Sequence, residues 1–88
     1  MAYSVEYTET ALKQLRKLDR QVARRIVGYL DDVAGLEEPR DRGKGLVGDR
    51  VRIWRYRVGD YRVLCELIDS ELVILAIAIA HRREIYDD

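Results

Sequence analysis

Trp54-Arg55-Tyr56-Arg57-Val58-Gly59-Asp60-Tyr61-Arg62-Val63 is the stretch whose reading decides the fold. β-Branched and aromatic residues alternate here with arginine, the pattern of strands with one face on a core. Gly59-Asp60 is a two-residue connection suited to a tight hairpin turn. The spacing predicts one strand over about Val51–Val58 and a second over Tyr61–Ile68. Alternate residues point to opposite faces. Trp54, Tyr56 and Val58 therefore group with Tyr61, Val63, Cys65 and Leu67, while Arg55, Arg57 and Arg62 fall on the other side with Ile53, Leu64 and Glu66.

Downstream, Asp69-Ser70 predicts another turn, leading into a third strand over Glu71–Ile79. Parity there places Val73, Leu75, Ile77 and Ile79 on a bulky face and Ala76, Ala78 and Ala80 on a shallow one. Small residues beside arginines make a trough, and Arg82 has the parity to stand at its end. Upstream, Tyr3-Ser4-Val5-Glu6-Tyr7 reads as a short strand and Thr8 as the N-cap of a helix with Ala11, Leu12, Leu15 and Leu18 on one face. Asp19 can cap a second helix carrying Val22, Ile26, Leu30 (or Tyr29) and Val33, which Gly35 and Pro39 bring to an end. The stretch from Glu37 to Gly48 reads as a basic, mobile loop. The expected fold is α+β, β-α-α-β-β-β with a short C-terminal helix, an antiparallel sheet packed on a helical hairpin, in a single domain over residues 1–88.

The chain has 88 residues, 48% hydrophobic and 36% charged, enough for one modest core. Formal net charge is zero, which argues against a general nucleic-acid binder, but the charges are unevenly placed. Residues 40–62 carry eight basic side chains (Arg40, Arg42, Lys44, Arg50, Arg52, Arg55, Arg57, Arg62) against three acidic ones (Asp41, Asp49, Asp60). Seven of the eight are arginine, whose planar fork matches phosphate oxygens. Cys65 and His81 are each the sole residue of their kind, which argues against a disulfide or a metal centre, so no cofactor is expected. The N-terminus lacks the apolar segment of a signal peptide. The apolar run Leu72–Ala80 is too short to cross a bilayer. A cytoplasmic protein without membrane contact is the expectation.

That apolar run ends in His81-Arg82-Arg83-Glu84-Ile85-Tyr86-Asp87-Asp88. A core strand has no need of such an ending, and strand ends are where a rigid scaffold presents side chains to ligands. With the arginine-bearing hairpin, it suggests a site for a phosphate backbone.

Taken with the opening Tyr3-Ser4-Val5-Glu6-Tyr7-Thr8, the helix segment Ala11–Leu18 and Leu46-Val47-Gly48, the hairpin and this ending make the chain resemble the RelE/ParE superfamily of toxins from type II toxin–antitoxin modules, its RelE branch in particular. The resemblance covers essentially the whole chain. It implies a ribosome-dependent, metal-independent endoribonuclease that cuts mRNA in the A site and so inhibits translation. It also implies a cognate RelB-like antitoxin in a hetero-oligomer, the 70S ribosome and mRNA as partners, and operator DNA reached only through the antitoxin. By resemblance Arg62 contacts phosphate, Arg82 acts on transition-state charge or the leaving group, and Tyr86 orients or stacks on the substrate. Arg55 falls where some members carry one of two lysines proposed as general base. The second lysine position holds Ile53, a departure from the family pattern.

RNA cleavage of this kind deprotonates a 2′-hydroxyl, stabilises a phosphorane and protonates a 5′-oxygen. Arginine suits the second task and not the others. His81 is the side chain that titrates naturally near neutrality, which nominates it as acid or base. Arg55, Arg57, Arg52 and Lys44 are expected to bind substrate. Blander roles are a strand cap for His81, a packing anchor for Tyr86 and cross-strand partners for Arg55 and Arg57. The alternative function is a ParE-like, non-nucleolytic toxin acting on DNA gyrase, which the shared fold does not separate from the first.

Overall fold

The computed structural model describes residues 2–45 and 53–84. β1 (Ser4–Tyr7) leads into α1 (Glu9–Lys17) and α2 (Arg20–Ala34), followed by a 3-10 turn (Pro39–Asp41) and the two-residue strand β2 (Lys44–Gly45). β3 (Ile53–Val58), β4 (Tyr61–Ile68) and β5 (Val73–His81) follow, with 3-10 turns at Asp69–Glu71 and Arg82–Glu84. The helices start where their caps dictate. Thr8 Oγ1 accepts from the Ala11 amide at 3.1 Å and Asp19 Oδ1 from the Gln21 amide at 2.9 Å. Such a cap contributes about 1 kcal/mol.

The sheet runs β1-β5-β4-β3-β2. The helices cover one face, on a core of Ala11, Leu15, Ile26, Leu30, Val33, Tyr56, Val58, Val63, Cys65, Ile74, Ala76 and Ile79. Each large aliphatic buried there contributes about 1.5–3 kcal/mol. The α+β class agrees with the sequence reading, as does the β3–β4 pairing across Gly59-Asp60, and the order matches the expected β-α-α-β-β-β apart from the added two-residue strand β2. Gly59 alone of the two turn residues has positive φ (59°), as a type II′ turn requires.

Several expectations need correction. The sheet is mixed rather than antiparallel, because β1 pairs parallel to β5. The helical hairpin carries the chain across the sheet, so β1 can lie alongside its distant partner in the same direction. Leu12 is 38% exposed and lies off the buried face of α1. The segment from 37 to 45 is pinned rather than loose. The Tyr56 hydroxyl donates to the Pro39 carbonyl at 2.9 Å, Trp54 Nε1 donates to the Arg42 carbonyl at 2.6 Å, and Arg40 grips Asp69 through both terminal nitrogens. Gly43 lets this strap close: a Cβ there would stand 2.5 Å from the Arg55 carbonyl oxygen.

The strict alternation expected for the last strand is broken. Cys65 pairs with Ala76 and the preceding Leu64 with Ala78, leaving Ile77 as an extra residue in a β-bulge. Ile74 and Ala76 point to the helices before it, and Ile79 after it. Val73 and Leu75 leave the bulky face they were assigned, and Ala76 leaves the shallow one. Only Ala78 and Ala80 remain on the arginine side, opposite Leu64 and Arg62.

Candidate nucleic-acid interface

Residues paired in register share a face, so the sheet side away from the helices is read row by row. One row across β3, β4 and β5 is Arg57, Arg62 and Ala80. The next, from β2 to β5, is Lys44, Arg55, Leu64 and Ala78. Four cations therefore stand on neighbouring strands about 5 Å apart, with two alanines closing the rows. β2, absent from the sequence reading, is what brings Lys44 into line. The next row is mixed: Ile53, Glu66, Leu75 and Glu6.

The four cations differ in setting. Lys44 and Arg57 are exposed, and Arg57 makes no hydrogen bond or ion pair among the described residues. Arg62 is 2% exposed and turns its Nη1 back onto the carbonyls of Gly59 (3.1 Å) and Tyr61 (3.0 Å). Arg55 is 9% exposed, and neither it nor Arg62 stands unpartnered. Like charges directly opposite, as Arg57 and Arg62 are, destabilise a sheet unless an anion or dipole offsets them. The turn carbonyls supply part of that offset for Arg62.

Arg82 reaches the same turn from the other side. Its amide donates to the Asp60 carbonyl at 2.7 Å, and its guanidinium lies 3.7 Å from Asp60 Oδ1. Both side chains of that ion pair are more than half exposed, so it contributes little to stability. The two turn residues thus join Arg62 and Arg82 at one corner of the sheet. Sequence reasoning gave Asp60 only a turn role; a carboxylate beside Gly59 at a hairpin tip was the signal that it could also hold a strand-end cation.

His81 is not brought to the arginine rows. It pairs with Tyr61, one step along from the Arg62–Ala80 pair, and so points to the helix side. Its ring meets Tyr61 edge-on with centroids 5.2 Å apart. Its Nδ1 accepts from the Arg83 amide at 3.1 Å and its own amide donates to Glu84 Oε1 at 2.9 Å. These bonds close the terminal 3-10 turn and leave Nε2 as the ring nitrogen open to other partners. Arg52 and Tyr86 lie outside the described residues. Among the described residues no group of three His, Cys, Asp or Glu side chains could hold a metal ion, and no helix is long and apolar enough to cross a membrane.

A cavity of about 540 Å³ lies towards the other end of the sheet, lined by Arg40, Trp54, Glu66 and Asp69 among others. Of the cationic rows only Lys44 and Arg57 are exposed, with Arg55 and Arg62 buried beside them, and exposed cations on a sheet face suit an extended polymer better than an enclosed small molecule.

Comparison with known proteins gives a consistent picture. Residues 5–86 match the family described as the ParE toxin of type II toxin–antitoxin system, parDE. The chain is 34% identical over 92 residues to the mRNA interferase toxin RelE of Escherichia coli K12, covering 100% of this chain and 94% of that one. Toxin RelG of Mycobacterium tuberculosis is 30% identical over 87 residues, with 98% of each chain covered. The fold superposes on a chain of the crystal structure of the toxin–antitoxin complex RelBE2 from M. tuberculosis with a TM-score of 0.82, 28% identity and 93% of each chain covered. With one family matched over nearly its whole length and relatives aligned end to end, the chain belongs to the ParE toxin family of type II toxin–antitoxin systems, within the RelE/ParE superfamily.

Proposed function

We propose that this chain is the toxin of a type II module and an endoribonuclease that cuts mRNA in the ribosomal A site. The observation that carries the reading is the register of the open face, where Arg57 and Arg62 stand beside Ala80, and Lys44 and Arg55 beside Ala78. The end-to-end similarity to an mRNA interferase supports it. The rows hold the phosphate backbone, and fixed guanidiniums offset the charge that builds on the phosphorane, usually a large catalytic term. Arg62, buried and bonded to the Gly59 and Tyr61 carbonyls, supplies fixed positive charge from beneath the surface, Arg82 acts from the turn, and Tyr86 and Arg52 complete the substrate contacts. The alanines keep that surface low enough for a backbone to approach.

His81 has a narrower role than general acid or base. With Nδ1 accepting from the Arg83 amide, the neutral ring carries its one proton on Nε2, which then has no lone pair to act as a base, so the ring takes up a proton only by breaking the Arg83 bond. Capping the terminal turn is the function its contacts support.

A RelB-like antitoxin is the partner, in keeping with the toxin–antitoxin complex that shares this fold. The chain acts as one cytoplasmic toxin domain, and the antitoxin, not this chain, contacts operator DNA. A second reading is a ParE-like gyrase inhibitor, favoured by the family description and by the place of His81 off the arginine face.

The deciding experiment uses purified ribosomes programmed with mRNA and an empty A site, comparing wild type with Arg82→Ala. Discrete A-site cuts that need the ribosome and fall sharply in the variant are the expected result. Intact mRNA with folded, antitoxin-free wild type, together with inhibition of gyrase supercoiling, overturns the nuclease reading in favour of the second.

A further inference from the structure

The alternating run Ala76-Ile77-Ala78-Ile79-Ala80 does not choose its own phase. In unbroken register, Ile77 and Ile79 would stand beside Leu64 and Arg62, while Ala78 and Ala80 would face the helices. Every residue in the run is apolar, so burial decides weakly between the phases. The bulge reverses that arrangement, and residues of α1 and its cap hold it. β1 ends at Tyr7, paired with Ala76, so beyond that point the outer edge of β5 has no strand partner. Thr8 and Gln14 take the place of one. The Thr8 amide donates to the Ala76 carbonyl at 3.0 Å, and its hydroxyl donates to the Ile77 carbonyl at 2.9 Å. Successive carbonyls of a regular strand point to opposite sides, and here both turn to one residue. Gln14 Oε1 then accepts from the Ile79 amide at 2.6 Å.

We propose that Thr8 and Gln14 are positioning residues of the toxin, clamping the β5 bulge so that Ala78 and Ala80, rather than Ile77 and Ile79, stand beside the arginines of the open face. Neither side chain touches the cationic rows. They act through the phase of β5, which also sets where the strand delivers Arg82 to the hairpin turn. A backbone phosphate would otherwise meet isoleucine at the level of Arg62, and a misplacement of about 1 Å can cost about a hundredfold in rate. The inference rests on the nuclease reading for its functional half and on pairing alone for its structural half.

Two measurements on Gln14→Leu, Gln14→Asn and Gln14→Glu separate these halves. Nuclear Overhauser contacts report whether Arg62 pairs with Ala80, and ribosome cleavage reports kcat and KM. Glu keeps an acceptor at the same reach, and the expected result is native Arg62–Ala80 contacts with near-native cutting. Leu has no acceptor, and Asn is one methylene short. In both, the Arg62–Ala80 contacts should weaken and kcat fall by about tenfold or more at unchanged KM. If Leu proves poorly folded, Asn carries the test. Native pairing in Leu and Asn overturns the clamp, whatever the cleavage rate. Altered pairing with native kcat overturns the positioning role. A wild type that never cuts removes the nuclease reading and leaves the pairing result to stand or fall alone.

Discussion

At the level of single residues, the open face separates cations that hold the fold from those available to a ligand. Arg57 is exposed and free of described partners, so Arg57→Ala should leave the urea midpoint unchanged and weaken binding to programmed ribosomes. The plot of log affinity against log salt should lose about one unit of slope, the signature of one phosphate contact. An unchanged slope would remove Arg57 from the interface. His81 offers a sharper test. Asn at this position keeps a side-chain acceptor for the amide two residues on, as in an Asx turn, but has no equivalent of Nε2. Since Nδ1 already serves the Arg83 amide, His81→Asn should cut within a few-fold of wild type, and His81→Ala should fray the terminal turn and lose more. A loss of about a thousandfold in His81→Asn, within the range of acid–base contributions, would return His81 to proton transfer.

Among the elements, the strap of residues 39–45 shows what a sequence does and does not reveal. The caps Thr8 and Asp19 and the Gly59-Asp60 turn are local signals, so the helix starts and the hairpin were legible. β2 was not, because two residues carry no period and the strap is held by ring donors from β3, far along the chain. Gly43 is its hinge, with φ of 79° and no room for a Cβ against Arg55, Trp54 and Tyr56. Gly43→Ala should lower stability by about 2 kcal/mol or more, from left-handed strain plus the displaced strap. Trp54, the only tryptophan, would lose its carbonyl partner, so its emission should change with the urea midpoint. Gly28→Ala is the contrast, in a helix with nothing within 4 Å of the added methyl, and should stabilise by about 0.5–1 kcal/mol. A Gly43→Ala variant as stable as wild type would show that the strap can re-seat without cost. The phase of β5 was the other illegible feature. Both alternatives bury apolar residues, and the choice is made by Thr8 and Gln14, 65 or more positions away in sequence.

For the molecule as a whole, the core holds more protons than the unfolded chain does at alkaline pH. Burial pushes the Cys65 thiol from 9.0 up to about 12 and the Tyr7 hydroxyl from 10.0 up to about 12, and it raises Tyr56 as well. Groups raised by folding stabilise the native state fully below their unfolded pKa. That contribution is lost as pH climbs towards the folded value. Cys65 begins the loss, since its unfolded thiol ionises first, near pH 9, and the tyrosines follow near pH 10. The acid side is different. Hydrogen bonds from Arg40 and then Tyr3 hold the exposed Asp69 carboxyl below its usual range, so its contribution exists above the unfolded carboxylate pKa and disappears as pH falls through the folded one. At the surface that effect is small. The stability profile should therefore be lopsided. Between pH 9 and pH 10 it should fall by about 1 kcal/mol on account of Cys65 alone, since one proton per pH unit is worth about 1.4 kcal/mol. Urea midpoints at pH 7, 9 and 10 for wild type and Cys65→Ala test this by slope rather than by absolute value, because the substitution also trims the core. Wild type should decline from pH 9 onward, and Cys65→Ala should decline less than half as steeply between pH 9 and pH 10, where Tyr7 and Tyr56 together account for about 0.7 kcal/mol. Parallel profiles would mean that the thiol loses its proton as readily in the folded protein as in the unfolded chain, and that the packing of Cys65 between the sheet and the helices is looser than its complete burial indicates.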